Sequence, residues 1–332
     1  MSLIFDDKTT LCPAEVQEGG ALCASGGRRI DYLRISITDR CTLNCAYCDR
    51  GATRGDERLL SAEEIARVVS AALGIGIRRV RLTGGEPLDR PDVLEVVRRV
   101  ASLPVDDLAM TTNGLKLASL AEPLRRAGLR RVNVSLSTLD ANLYRSLTGS
   151  GRLEAVLDGI RCARRAGLEP VKLNAVMLRG VNDHQVVPLA IFGQRERVVV
   201  RFIEYMPSQG RDALWMISAD EILKALAPLE PHVTQSPPGS GPARYYALRG
   251  GGLVGFITPV SEPFCGVCNR LRVTAFGRLR PCLIDEHEID LVPLLESPLA
   301  DELVREAFHA AATLKPVRYQ GCRRRAMRQI GG

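Results

Sequence analysis

Tyr32-Leu33-Arg34-Ile35-Ser36-Ile37 is a strand-like run, and it leads straight into Thr38-Asp39-Arg40-Cys41-Thr42-Leu43-Asn44-Cys45-Ala46-Tyr47-Cys48. Three cysteines therefore fall within eight residues at C-x3-C-x2-C spacing. Thiolates this close in sequence can be aimed by one loop at one metal centre. A structural zinc site asks for four closed ligands. A cubic 4Fe–4S cluster takes one protein ligand per iron. Three local ligands with no obvious fourth point to a cluster with one open iron, where a small molecule binds. The plainer alternative is three buried structural thiols.

From Tyr32 onward the chain alternates strand-like and helical patterns. Ser61-Ala62-Glu63-Glu64 is a capping box that opens a helix running to about Leu73. Strand-like segments follow near 78–83, 106–111, 131–136, 170–177 and 197–205, with helical patterns near 91–102, 117–127, 152–166 and 184–192. Two of these helices end in Ala-Gly-Leu (127–129 and 166–168), where glycine acts as a stop before the next strand. Six strands with intervening helices imply a parallel α/β sheet. Where such a sheet curls into a barrel, chemistry sits at the C-terminal ends of the strands. The cysteine loop, Gly84-Gly85-Glu86-Pro87, Thr111-Thr112-Asn113-Gly114 and Ser135 all fall at such ends. Taken alone, Gly84-Gly85 before Pro87 reads as an ordinary turn.

Residues 1–30 are Gly-rich and read as a loose N-terminal arm, with Cys12 and Cys23 unassigned. After residue 206 the texture changes. A second capping box, Ser218-Ala219-Asp220-Glu221, opens a helix, a Pro/Gly/Ser-rich link spans 236–242, and strand-like runs follow at 244–248 and 253–258. The expected division is an arm over 1–30, the parallel α/β unit over 31–206, and a smaller α+β region over 207–332 laid over it.

The chain has 332 residues, 45% apolar and 25% charged, as expected of a globular protein with room for a large core. No run of about 18 apolar residues exists, and the N-terminus has no basic start followed by an apolar stretch, so neither a membrane span nor a signal peptide is expected. Ten cysteines without an export signal favour metal ligation in a reducing compartment, the cytoplasm. The net charge of +7 raises nucleic-acid binding, but the arginine pairs are scattered and only 5% of residues are aromatic, so no nucleic-acid partner is expected.

A second cysteine group follows in the C-terminal region. Cys265 and Cys268 form C-x2-C, and Cys282 lies 14 residues further on. Zinc would need a fourth ligand, with His287 or Cys322 nearest. The alternative is a second three-cysteine 4Fe–4S cluster whose open iron binds substrate.

The C-x3-C-x2-C loop with Tyr47 before the last cysteine resembles the signature of the radical S-adenosylmethionine (SAM) enzymes, and Gly84-Gly85-Glu86-Pro87 resembles their GGEP segment. The resemblance implies a partial (β/α)6 TIM-type barrel over 31–206 whose mouth the C-terminal α+β region closes, an open iron chelated by SAM, and reductive cleavage of SAM to a 5′-deoxyadenosyl radical. Phe264-Cys265-Gly266-Val267-Cys268-Asn269-Arg270-Leu271-Arg272, Cys282 and the terminal Ile330-Gly331-Gly332 narrow this further. From about Tyr32 to the C-terminus the chain is similar to the GTP 3′,8-cyclase family of molybdenum cofactor biosynthesis.

That family resemblance implies two 4Fe–4S clusters and SAM as cofactors, with Cys41, Cys45 and Cys48 on the SAM cluster and Cys265, Cys268 and Cys282 on the substrate cluster. Tyr47, Gly85, Ser135 and Met206 match SAM-site positions. Arg34, Arg81, Thr111, Lys172, Arg270, Leu271 and Arg272 match GTP-contacting positions, with Arg201 added because it lies on the last barrel strand. Arg270, Arg272, Gly331 and Gly332 are the expected catalytic residues, the Gly-Gly tail reaching into the site. A triphosphate carries about four negative charges, and arginine forks suit phosphate oxygens. Each strand-end arginine taken singly reads equally well as a surface ion pair, and the basic tail as a solvated end. The family also implies an external electron donor and a cyclic pyranopterin monophosphate synthase that receives the product; a homodimer is compatible with it.

Asp49-Arg50, Ser137-Thr138 and the segment Lys315 to Cys322 depart from the family's usual sequence, without removing a proposed ligand. They keep open a radical SAM enzyme with an auxiliary cluster acting on another substrate, such as a peptide. A basic zinc protein that binds nucleic acid is the non-catalytic alternative. Cys162, inside a helical pattern, reads as a small core residue.

Overall fold

The computed structural model describes residues 20–48, 57–149, 152–207, 213–237 and 241–318. Six strands, β1 (Tyr32–Ser36), β2 (Arg79–Thr83), β3 (Asp107–Thr112), β4 (Arg131–Ser135), β5 (Lys172–Met177) and β6 (Val199–Glu204), lie side by side in chain order, all parallel. Helices α1 (Ala62–Gly74), α2 (Val93–Ala101), α3 (Leu117–Arg126), α4 (Ala141–Thr148), α5 (Leu153–Arg165) and α6 (Val186–Glu196) connect them. This is the partial (β/α)6 barrel.

The local signals act as their chemistry demands. Ser61 accepts the Glu64 N–H while the Glu64 carboxylate accepts the Ser61 N–H, closing the capping box of α1. Gly128 and Gly167 take φ of +104° and +75° just past α3 and α5, a turn that side chains resist. Helix α4 escaped the sequence reading because it is only eight residues long, although Asp140 caps it by accepting the Leu143 N–H at 2.7 Å and Gly149 ends it at φ +68°.

Strand alternation sorts the sheet into two faces. Leu33, Ile35, Val80, Leu82, Leu108, Met110, Val132, Val134, Leu173 and Val200 face the helices and form the main apolar core. The opposite face carries Tyr32, Arg34, Arg81, Thr111, Arg131, Asn133, Ser135, Lys172, Asn174 and Arg201. A barrel interior is ordinarily filled by branched apolar side chains. This interior is basic and polar, which fits it to hold an anion.

The C-terminal region joins the same sheet at both edges. Its strands are β7 (His232–Thr234), β8 (Arg244–Ala247), β9 (Leu253–Ile257), β10 (Arg270–Val273), β11 (Arg278–Arg280) and β12 (Ile289–Asp290). Among the described residues the order is β12-β11-β10-β1-β2-β3-β4-β5-β6-β9-β8-β7, and β9 and β10 lie parallel to β6 and β1. The capping box at Ser218 and Glu221 forms and opens α7 (Ala219–Ala225). Short α8 (Val292–Leu295) and α9 (Ala300–Thr313) follow, and α9 packs on α1. The end of the N-terminal arm is not loose: a hairpin of Cys23–Ala24 and Arg28–Arg29 is flanked by Leu22 and Ile30, both in the main core. Among the described residues no helix is long and apolar enough to cross a membrane.

Candidate active site

A cavity of about 400 Å³ opens at the C-terminal ends of the barrel strands, and all six proposed cysteine ligands line it. Its volume is in the range of small-molecule sites, roughly 300–1,000 Å³.

The first triad sits on the loop after β1, and neighbouring backbone holds that loop from two sides. The Asn44 and Ala46 N–H groups donate to the carbonyls of Thr148 and Leu147, at 2.6 and 2.7 Å. The C-terminal end of α4 thus spends carbonyls that helix geometry leaves open on the cysteine loop. On the other side, the Gly85 N–H donates to Thr38 O and the Glu86 N–H to Arg40 O, each at 2.7 Å, while Asp89 accepts the Thr42 N–H. A Cβ on Gly85 would lie 2.1 Å from the Arg40 carbonyl oxygen, so this glycine is required by close backbone approach. Glu86 is buried and accepts from Leu88 N, Thr112 Oγ1 and Asn113 N, binding the turn to the end of β3. Burial raises its carboxyl to about 7 even against these donors.

The second triad comes from the turn Cys265–Val267 ahead of β10 and from the segment after β11. Glu204, ending β6, accepts the N–H groups of Val260 and Ser261 and so anchors the loop that leads into Cys265. Burial opposes the Cys268 thiolate, but Arg270 and Lys315 outweigh it and bring the thiol down to about 6. Burial, followed by Cys282, raises the Cys265 thiol. Arg270 also lies over the Phe264 ring at 5.1 Å.

Between the triads, strand register places Arg272, Arg34 and Arg81 side by side on β10, β1 and β2. Burial, with Arg272 beside it, pulls the Arg34 guanidinium well below its ordinary range. Burial and Arg270 bring Arg272 to about 10, and burial and Arg81 bring Arg201 to about 10. Arg201 Nη2 donates to Asn174 at 2.5 Å. Deeper still, Asp107 neutralises Arg131, and Lys172 lies 5.7 Å from the Tyr245 ring. Burial, with Arg201, lowers Lys172 to about 7. Crowded cations in low dielectric repel one another, and a polyanion relieves that repulsion.

Tyr47, Gly85, Ser135 and Met206 line the cavity, as do Arg34, Arg81, Thr111, Arg201, Arg270 and Arg272. Two expected contacts fall elsewhere. Lys172 begins β5, beneath the lining. Leu271 is fully buried in the apolar core because alternate residues of β10 face opposite sides, so only its backbone is available to a ligand. Gly331, Gly332, Asp49, Arg50, Cys12 and Cys322 lie outside the described residues. His287, the other zinc candidate, is exposed, pairs with Asp285 at 2.5 Å, and is not in the lining. Ser137 lines the cavity and accepts the Val176 N–H, and Thr138 accepts the Asp140 N–H, so these departures from the family pattern serve local structure. Cys162 packs half-buried against the core. Sequence reasoning missed Asn133, Asn174, Glu204 and Lys315. The strand alternation that flags Arg34 and Arg201 flags Asn133 and Asn174 equally.

A parallel (β/α)6 sheet with a three-cysteine loop at its strand ends, bound to a Gly-Gly-Glu-Pro turn, defines a radical SAM architecture. Residues 35–192 match the family model described as Radical SAM superfamily, and residues 198–321 the model described as Molybdenum Cofactor Synthesis C. The chain is 48% identical over 325 residues to a GTP 3′,8-cyclase from Pelotomaculum thermopropionicum, covering 92% of this chain and 98% of the relative. It is 45% identical over 319 residues to one from Moorella thermoacetica, with the same coverage. The crystal structure of Streptococcus suis SuiB bound to S-adenosylmethionine shares the fold, with a TM-score of 0.63 at 18% identity over 85% of this chain and 67% of that one. The chain belongs to the GTP 3′,8-cyclase family of radical SAM enzymes.

The residues present fit two 4Fe–4S clusters and SAM. Each triad offers three thiols to one cavity and leaves one iron for a ligand. Among the described residues no three such side chains converge tightly enough for a single metal ion, and a cubane does not require it, since each thiolate takes its own iron.

Proposed function

We infer that this protein converts GTP to (8S)-3′,8-cyclo-7,8-dihydroguanosine 5′-triphosphate, the first step of molybdenum cofactor biosynthesis. The observation that carries the reading is that both cysteine triads face one cavity with a row of arginines between them. When bound, SAM and its cluster would supply a 5′-deoxyadenosyl radical to take the ribose 3′ hydrogen; closure of the ribose carbon onto guanine C8 then needs one further electron and a proton to reach the dihydro product. The chain's own residues position and enclose.

In this reading Cys41, Cys45 and Cys48 hold the SAM cluster, and Tyr47, Gly85, Ser135 and Met206 border SAM. Cys265, Cys268 and Cys282 hold the cluster that anchors guanine. Arg34, Arg81, Thr111, Arg201, Arg270 and Arg272 receive the nucleotide, with Lys172 acting from below and Leu271 offering backbone only. Gly331 and Gly332, outside the described residues, keep the catalytic role that the family resemblance implies. The labour divides near residue 206: 31–206 carries the SAM cluster and the barrel-strand residues that meet the nucleotide, and 207–332 carries the second cluster with Arg270 and Arg272. An external donor supplies two electrons, one for SAM cleavage and one for reduction of the cyclised nucleotide, the product passes to a cyclic pyranopterin monophosphate synthase, and the setting is the cytoplasm. Fixing both reactants in one desolvated space contributes orientation and excludes quenchers.

Anaerobic reconstitution tests this reading. The expected result is about eight irons per chain, four for each cluster, with 5′-deoxyadenosine formed and GTP consumed together. SAM cleavage with GTP untouched contradicts the assigned substrate.

The lowered Lys172 adds a pH dependence. Below about pH 7 the free protein already carries the ammonium, and binding changes nothing. Above that pH Lys172 is neutral when free, and a triphosphate nearby favours its charged form. GTP binding then takes up a proton, and affinity falls as pH rises, by up to about tenfold per pH unit. Calorimetric titration in buffers of different ionisation enthalpy should show this uptake at pH 8, and Lys172→Met should abolish it.

A further inference from the structure

We propose that Lys315 is a positioning residue that staples the two arms of the second cysteine triad together. This rests on the two-cluster reading above.

The antiparallel pairing of β10 with β11 ends at Arg272 and Arg280. Beyond that pair, the chain runs back through Arg270 to Cys268 on one arm and forward through Pro281 to Cys282 on the other. Where the ladder stops, the Lys315 ammonium takes its place. Its Nζ donates to the Arg270 carbonyl at 2.7 Å and to the Pro281 carbonyl at 2.8 Å. One carbonyl is two residues from Cys268, and the other immediately precedes Cys282. Lys315 is only 3% exposed, lines the cavity, and is itself held from behind. Arg28 of the N-terminal hairpin donates to the Lys315 and Pro316 carbonyls, each at 3.2 Å, and also to the carbonyl of Cys265. All three cysteine-bearing segments are thereby fixed relative to one buried point.

A buried ammonium is expensive unless its donors and charge are satisfied. Here two carbonyls satisfy donors, and a cluster bearing thiolates supplies the opposing charge. Removing the ammonium frees the two arms and removes that charge, and the second cluster is then assembled poorly while the first is untouched.

The test compares Lys315→Met and Lys315→Arg with wild type after anaerobic reconstitution. Iron and sulfide content, Mössbauer spectra and circular dichroism are recorded alongside SAM cleavage. Lys315→Met should hold about half the wild-type iron, keep the first cluster's spectrum and SAM cleavage, and lose GTP conversion. Lys315→Arg, which retains donors for both carbonyls, should restore the second cluster at least in part. Full iron with an unchanged spectrum in Lys315→Met overturns the proposal, as does equal loss of both clusters in a folded protein. If Lys315→Met fails to fold, Lys315→Arg decides: a retained second cluster upholds the staple and a lost one overturns it. Wild type that takes up only half the iron instead contradicts the two-cluster reading itself.

Discussion

Alanine at Cys265, Cys268 or Cys282 should leave SAM cleavage in place and bring GTP conversion below detection, whereas alanine at Cys41, Cys45 or Cys48 should end both. The asymmetry follows from where the sulfurs sit. The first triad rides on a loop held by α4 and by the Gly84–Pro87 turn, and none of those contacts involves the second triad. The second is held by β10, β11, Lys315 and Arg28. Each triad can therefore fail alone. Variants of either set should retain about four irons per chain, and quantifying 5′-deoxyadenosine against GTP consumed separates the two outcomes. Loss of SAM cleavage in the Cys282 variant would contradict this independence.

Gly85→Ala should lower SAM cleavage at least about a hundredfold, the scale of loss when reacting groups are misplaced by about 1 Å. The added methyl would stand 2.1 Å from the Arg40 carbonyl oxygen and 2.7 Å from that of Asp39, and both are backbone with no rotamer to yield. Either the turn or the cysteine loop must retreat. That breaks the bonds from Gly85 N to Thr38 O and from Glu86 N to Arg40 O, each worth about 1 kcal/mol net. The apolar core beneath is untouched, so far-ultraviolet circular dichroism should match wild type while SAM affinity and first-cluster iron fall. Normal SAM binding in this variant would show that the turn does not position the loop.

The barrel was legible because its signals are local. Alternating apolar residues, the capping box at Ser61 and glycine stops at 128 and 167 act within a few neighbours, so each strand and most helices are marked in sequence. The two cysteine triads were legible by spacing alone. What escaped depends on contacts between distant segments. Nothing in Leu253–Ile257 announces that it pairs in parallel with β6, and nothing in Lys315 announces a bond to the Arg270 carbonyl. Gly255 shows why. It reads as a weak strand residue, yet its missing side chain makes room for the Tyr245 ring, 2.8 Å from where a Cβ would stand. Leu271 shows the converse, since a motif set it among substrate contacts while strand alternation sends its side chain to the core.

In the proposed complex one cavity brings the ribose of GTP to the SAM side while guanine is held on the other. GTP carrying deuterium at C3′ tests it most directly, by mass analysis of the 5′-deoxyadenosine released in a single turnover. The 5′-deoxyadenosine should carry the deuterium. Unlabelled 5′-deoxyadenosine from turnovers that consume the labelled GTP would contradict it.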